Sequence, residues 1–491
     1  MPENPNIIII MADDLGYGDV GAYGAKKENV KTPNIDKLAE GGLKFTSGYC
    51  SASTCTPTRY SFLTGSYAFR ESNTGIAPPN APAIIKPGTE TIASLLKKAG
   101  YKTAVIGKWH LGLGGPEGPD WNGDLKPGPR EIGFDFNFLL PTTNDRVPQV
   151  YVQNHRVKNL DPSDPLWVGH EKPSEKHPTG ITHRNTLRMN WNDGHNNTIH
   201  NGIGRIGFYT GGHMARFRDE DLADEWQRQA NKWIEENKDN PFFLFFSSHD
   251  IHVPRMPHER FQGKSGMSYR GDAIVQLDWN VGEIMKTLDR LNLKKNTLVI
   301  FVSDNGPVLD DGYDDFANEQ LGDHKPAGPY SGGKYTVREG GTRIPFITYW
   351  ENIIQPGISK EMVSTIDLPA SMAALTGIDL PNDGVLDSFN VLDALLGKRG
   401  AKGRQYIVSQ DNGRKGNYGL RDGNWKLQRH DAKRMYNGDL SMDSWTVPQY
   451  TLFNLDKDIA EANDVSKDYP QITERLKDQL QSIIDRGKTR F

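Results

Sequence analysis

Four consecutive isoleucines, Ile7 to Ile10, followed by Met11 and stopped by Asp13-Asp14, constrain this chain more than any other stretch. A short β-branched run with no polar residue on either side of its pleat fits a strand buried on both faces. Such a strand needs apolar cover above and below, and the sequence supplies it at intervals. The spacing predicts a helix from Thr91, with Ile92, Leu95, Leu96 and Ala99 on one face and Gly100 at its end, then a strand over Thr103–Ile106. A second helix, Asp221–Asn237, sets Leu222, Trp226, Ala230, Trp233 and Ile234 on one stripe and leads into a strand over Phe242–Phe246. A third, Asp272–Leu291, precedes a strand over Thr297–Val302. Helices alternating with buried strands specify an α/β fold, a large and mostly parallel central sheet sandwiched by helices.

From about Leu380 the texture changes. Tyr406–Ser409, Tyr418–Leu420, Trp425–Gln428 and Thr451–Asn454 are short strand-like pieces, with Arg421-Asp422-Gly423-Asn424 as a hairpin-type turn between two of them. The closing helix from Pro470 shows Ile472, Leu476, Leu480, Ile483 and Ile484 on one face. These features predict a catalytic unit over 1–379 and a smaller unit over 380–491, built from an antiparallel sheet and a helix. Within the first, residues 147–218 are rich in Asn, His, Pro and Gly, and form a variable, loop-rich segment suited to a substrate rim.

A formal charge of −4 over 491 residues leaves no basic surface for nucleic acid, so an anionic ligand must be met by local positive groups. Two cysteines, Cys50 and Cys55, exclude a disulfide scaffold, and Cys50 reads as a small buried residue. No run approaches the ~18 apolar residues of a membrane span. The opening Met-Pro-Glu-Asn-Pro-Asn has neither a basic n-region nor an apolar h-region, which fits a cytosolic protein or one whose signal peptide is absent from this sequence.

Polar residues gather just past the predicted strands, at Asp13-Asp14, Lys108-Trp109-His110, His249 to His252 and Asp304-Asn305. Carboxyl ends of parallel strands are where α/β sheets bind ligands, so four such ends describe one composite site. Two aspartate-containing pairs offer hard oxygen ligands suited to Ca²⁺ or Mg²⁺, while either pair alone would more often cap the following segment. The run Cys55-Thr-Pro-Thr-Arg59-Tyr-Ser-Phe-Leu-Thr-Gly65 has proline where a first helical turn tolerates it and glycine where a helix ends. On its own, Cys55 could be an ordinary helix-start thiol of lowered pKa.

Taken in order, these motifs resemble the type I, formylglycine-dependent sulfatases of the alkaline phosphatase superfamily. Cys55, Pro57, Arg59 and Leu63-Thr64-Gly65 match the signature whose cysteine becomes formylglycine, with Thr58 where serine is commoner. Lys108 and His110, then His252 before Val253-Pro254, then Lys334 ahead of Glu339-Gly340-Gly341-Thr342-Arg343-Ile344-Pro345, match further motifs. The resemblance implies one Ca²⁺ held by Asp13, Asp14, Asp304, Asn305 and the modified Cys55. It implies catalytic roles for Cys55, Arg59, Lys108, His110, His252 and Lys334, and a formylglycine-generating or anaerobic maturation enzyme as partner. The expected substrate is a sulfate monoester on a sulfated sugar of a glycan or polysaccharide, with Asn144, Asp145, Arg146 and His213 as candidate sugar contacts. A periplasmic or secreted location goes with that role. A phosphodiesterase or phosphonate monoester hydrolase on the same scaffold is the alternative.

Overall fold

The computed structural model describes residues 4–412, 417–431 and 448–490; the first three residues of the stretch read for a leader lie outside the described residues. The isoleucine run forms the strand Asn6–Ala12, buried throughout. Its side chains alternate between two separate cores. Ile7, Ile9 and Met11 pack with Phe62, Leu63, Ile92, Leu96, Leu368 and Met372. Ile8, Ile10 and Ala12 pack with Ile35, Leu38, Trp226, Ile234, Leu277 and Ile284. Helices Cys55–Thr64, Ile92–Lys98 and Leu368–Thr376 thus cover one face, and helices Pro33–Gly41, Leu222–Asn237 and Ser268–Arg290 the other.

Asn6–Ala12 sits inside a ten-stranded sheet. Across the sheet the order is Gly357–Ser364, Leu43–Tyr49, Phe346–Tyr349, Thr297–Ser303, Asn6–Ala12, Phe242–Ser247, Lys102–Lys108, Phe136–Leu140, Val152–Gln153 and Arg156–Val157. The central four of these run parallel in register, Ile8 facing Val299 on one side and Leu244 on the other. Phe346–Tyr349 runs against both of its neighbours, and the short strands after Phe136–Leu140 are antiparallel. The sheet is therefore mostly, not wholly, parallel.

Thr91 caps its helix by accepting the Ser94 N–H at 3.1 Å, one residue before the helical run begins. Residues 147–218 hold only two- and three-residue strands with short turns between them. At the C-terminal end, Tyr406–Gln410, Tyr418–Asp422, Trp425–Arg429 and Tyr450–Asn454 form an antiparallel sheet in chain order. Helix Pro470–Asp485 closes over it through Leu476, Leu480 and Ile483, and Tyr67, Phe69 and Ile366 of the larger unit join that core. Among the described residues no helix is long and apolar enough to cross a membrane.

Because both faces of Asn6–Ala12 are covered, Ile8→Ala and Ile9→Ala should each cost about 2–5 kcal/mol, the range for truncating a buried aliphatic side chain. Urea unfolding checks this. A solvent-facing side would show one variant within about 0.5 kcal/mol of wild type.

Candidate active site

The carboxyl ends of the four adjacent strands deliver their polar residues to one buried locus. Asp13 and Asp14 follow Asn6–Ala12, and Asp304 and Asn305 follow Thr297–Ser303. Lys108 ends its strand, and the segment from His249 to His252 follows Phe242–Ser247. Gly107 makes the approach possible: it has φ +113°, and a Cβ there would stand 1.8 Å from the Ser247 carbonyl. Asp14 and His110 also take left-handed backbone, φ 58° and 55°, which turns each side chain inward at a strand end.

Helix Cys55–Thr64 points its first turn at this locus and ends on Gly65 at φ 63°. Cys55 Sγ lies 3.6 Å from Asp13 Oδ1. Arg59, one turn along, locks the helix onto the sheet: Nε and Nη2 donate to Asp304 Oδ2 at 3.0 and 2.9 Å, and Nη1 donates to Ser247 Oγ at 2.6 Å and to the Lys108 carbonyl at 3.2 Å. A guanidinium serves here because its fixed fork can meet several acceptors at once.

Asp13, Asp14, Cys55 and Asp304 bring ligand atoms within 4.8 Å of one another. Asn305 Nδ2 donates to Asp14 Oδ1 at 2.8 Å, yet its Oδ1, also buried, has no hydrogen-bond partner among the described residues. A buried oxygen left unmatched beside three carboxylates is what a missing cation would explain, and an all-oxygen set suits a hard one. Lys108, paired with Asp13, and Lys334, whose Nζ is 2.9 Å from Asp14 Oδ2, bring positive charge to these acids. The two acids respond differently. Burial and the Asp304 carboxylate push Asp13 well above the usual carboxylate range despite Lys108. Against its burial, Lys334, His252 and Lys108 hold Asp14 well below it.

Burial and the neighbouring carboxylates push the Cys55 thiol well up, against Lys108. The reading of Cys55 as a helix-start thiol of lowered pKa is therefore overturned: burial above all, with Asp304 and Asp13 beside it, raises the thiol. His252 Nδ1 lies 2.7 Å from the Val253 carbonyl, which only accepts, so Nδ1 carries the proton and Nε2 faces the site, 4.0 Å from Asp14 Oδ2. Burial, Lys108 and Lys334 bring its pKa down to about 3. By the same logic His110 Nε2 donates to the Ala77 carbonyl at 3.0 Å, and its buried Nδ1 has no partner among the described residues. Burial, then Lys108 and Arg146, hold His110 well below the usual histidine range.

Of the candidate sugar contacts, three converge beside His252. Asn144 Nδ2 donates to the His252 and Pro254 carbonyls, both at 3.1 Å. Asp145 accepts Arg146 Nη1 at 2.9 Å and pairs with His195 Nε2 at 3.0 Å. His213 is not brought to them: its side chain is 70% exposed and pairs with Asp164 at 2.8 Å. One group at the site went unread in the sequence. Asp311 accepts Lys334 Nζ at 2.8 Å and the Tyr335 hydroxyl at 2.9 Å, half-buried where the site opens. Asp310-Asp311 carries no motif, and only the contact with Lys334 reveals it.

The Sulfatase family model matches residues 5–378. An N-acetylgalactosamine-6-O-sulfatase of Bacteroides thetaiotaomicron is 47% identical over 486 residues, covering 99% of this chain and 94% of its own length. Human arylsulfatase A is 34% identical over 426 residues, covering 86% of this chain and 74% of its own. A solved Bacteroides thetaiotaomicron structure, described with that organism's metabolism of multiple glycosaminoglycans, superposes with a TM-score of 0.94 at 46% identity, covering 98% of this chain and 100% of its own. Matched by one family across the whole of the larger sheet, and nearly end to end by a curated sulfatase, this chain belongs to the sulfatase family and is a sulfuric ester hydrolase.

Proposed function

We propose that the chain removes a sulfate monoester from a sulfated sugar, with Cys55 matured to formylglycine and one Ca²⁺ on Asp13, Asp14, Asp304 and Asn305. The observation that carries this reading is the unpartnered Asn305 Oδ1 among three carboxylates, with Cys55 Sγ 3.6 Å from Asp13 Oδ1. The modified side chain would supply a hydroxyl nucleophile, and the cation would lower its pKa and draw charge from the sulfate. The relative's name supports N-acetylgalactosamine 6-sulfate as the sugar sulfate. Residues 1–379 would form the catalytic unit, and release of sugar sulfates would suit a periplasmic or secreted protein.

The chain's own residues do the rest. Lys108 and Lys334, anchored on opposite sides of the aspartates, meet the sulfate oxygens as preorganised positive charge. His252 offers Nε2 to the leaving oxygen. Burial, with Lys108 and Lys334, holds this histidine neutral, and a bound sulfate would offset the two lysines with negative charge, which favours a proton on Nε2 when one is needed. His110 Nδ1 is placed to take a proton in the step that frees sulfate. Arg59 keeps the nucleophile's helix and Asp304 in fixed relation. Arg146, held by Asp145, and Asn144 stand where the sugar would enter.

Three outcomes test this reading. Mass analysis of the peptide spanning Cys55, from enzyme made beside its maturation partner, should show an aldehyde in place of the thiol, and Cys55→Ser should end multiple turnover while leaving the circular dichroism spectrum intact. Active enzyme carrying only thiol would refute it. Chelation should abolish activity and lower the melting temperature, and added Ca²⁺ should restore both, because a cation bound only by the folded state stabilises it. On a panel of defined sugar sulfates with matched phosphate mono- and diesters, sulfate release from N-acetylgalactosamine 6-sulfate should lead. Faster hydrolysis of the phosphodiester would favour the alternative activity instead.

A further inference from the structure

The loop that carries Lys334 begins and ends on one carboxylate. Glu461, just past the last strand of the smaller sheet, is buried and has φ 53°, a left-handed backbone that glutamate keeps only where its surroundings impose it. Its Oε2 accepts the Ser331 hydroxyl at 3.3 Å and the Glu339 backbone N–H at 2.7 Å, and its own carbonyl accepts Arg338 Nη1 at 3.0 Å. Its Oε1 accepts Gln428 Nε2 at 2.7 Å, which ties it to the smaller sheet. Between these anchors the Lys334 N–H donates to the Pro307 carbonyl at 2.8 Å and the Tyr335 N–H to the Ser53 carbonyl at 2.9 Å. Just beyond Glu339, the Gly341 carbonyl accepts the N–H of Gly306, the residue after Asn305, at 2.8 Å.

We infer that Glu461 is a positioning residue for hydrolysis: from the smaller sheet it clamps the two ends of the 331–339 loop and so fixes where Lys334 stands over Asp14. The inference rests on the reading of Lys334 as a group that meets the sulfate. Lysine is long and rotamer-rich, and a charge held by a loose loop stabilises a transition state poorly. Burial, reinforced by the Glu339 carboxylate against Lys426, pushes Glu461 up to about 7. A neutral group can therefore do its work. Glutamine there would keep an oxygen for Ser331 and the Glu339 N–H and turn its amide nitrogen to Gln428, whose amide can present oxygen in return.

The test uses the full matured chain with Ca²⁺ and N-acetylgalactosamine 6-sulfate, in Glu461→Ala, Glu461→Gln, Lys334→Ala and Glu461→Ala/Lys334→Ala forms, with kcat normalised to the folded fraction by circular dichroism. Glu461→Ala should lower kcat roughly ten- to hundredfold, the scale of an ångström misplacement, with KM little changed. Glu461→Gln should restore most of it, and the double variant should be no slower than Lys334→Ala alone. Wild-type kcat per folded molecule in Glu461→Ala, or losses that multiply in the double variant, would overturn the inference while leaving the role of Lys334 standing. Wild-type kcat/KM in Lys334→Ala would remove that role and this inference with it. If Glu461→Ala does not fold, Ser331→Ala takes its place in the cycle, removing one anchor, and the same non-additivity with Lys334→Ala is required.

Discussion

Asp304 is the point on which the architecture of the site turns. One of its oxygens takes two donors from Arg59, and the other takes the Asp14 backbone N–H at 3.2 Å. That single side chain binds the helix of Cys55, the strand that carries Asp304 and the neighbouring strand into one arrangement. The arrangement is costly, because carboxylates gathered in a dry interior repel one another. Arg59, Lys108 and Lys334 repay part of the cost, and each is itself buried against those same acids. Acids and bases here hold one another in place, so the positive charges that would meet a sulfate need little reorganisation when it arrives.

A second charged cluster lies farther out and belongs to the joint between the two sheets. Glu339 accepts Lys426 Nζ at 2.9 Å, Arg343 Nη1 at 3.1 Å and the Tyr49 hydroxyl. Lys426 comes from the smaller sheet, Tyr49 from the larger, and Glu339 from the segment just after the Lys334 loop. The smaller sheet is thus wired into the site's surroundings by hydrogen bonds as well as by the apolar core it shares with Tyr67 and Phe69.

Much of this was legible in the sequence because the signals were local. A run such as Ile7–Ile10 has only one comfortable environment, and its end locates polar groups at a strand terminus without any tertiary information. The helix start at Thr91 is marked by a residue that caps it, whereas Asp221 precedes its helix without a side-chain cap. The sequence places the start of helix Ser268–Arg290 at Asp272. In the fold the Asp272 carboxylate instead accepts the Gly263 and Ser265 N–H groups of the preceding loop, and the helix begins four residues earlier with no side-chain cap. Strands Leu43–Tyr49 and Phe346–Tyr349 escaped notice, the second reversed against its neighbours, because direction is a property of the connections and not of the residues. The same holds at the site. Lys334 stood out through its motif, whereas Asp311 acquires meaning only through a contact, and the pairing of the exposed His213 with Asp164 is likewise visible only in the fold.

The separation of partners along the chain has a consequence for how the protein is made. Asp14 is paired with groups 291 and 320 residues downstream. Those pairs need the chain out to Lys334, so the charge on Asp14 is balanced only once strands from nearly the whole larger unit have come together. The helix of Cys55 packs Phe62 and Leu63 on Ile7, Ile9 and Met11, which precede it, and on Phe243 and Phe245, which come far later in the chain. In the closed sheet Cys55 is only 3% exposed, so a reagent that must reach its thiol meets it far more readily in an open chain than in the folded one.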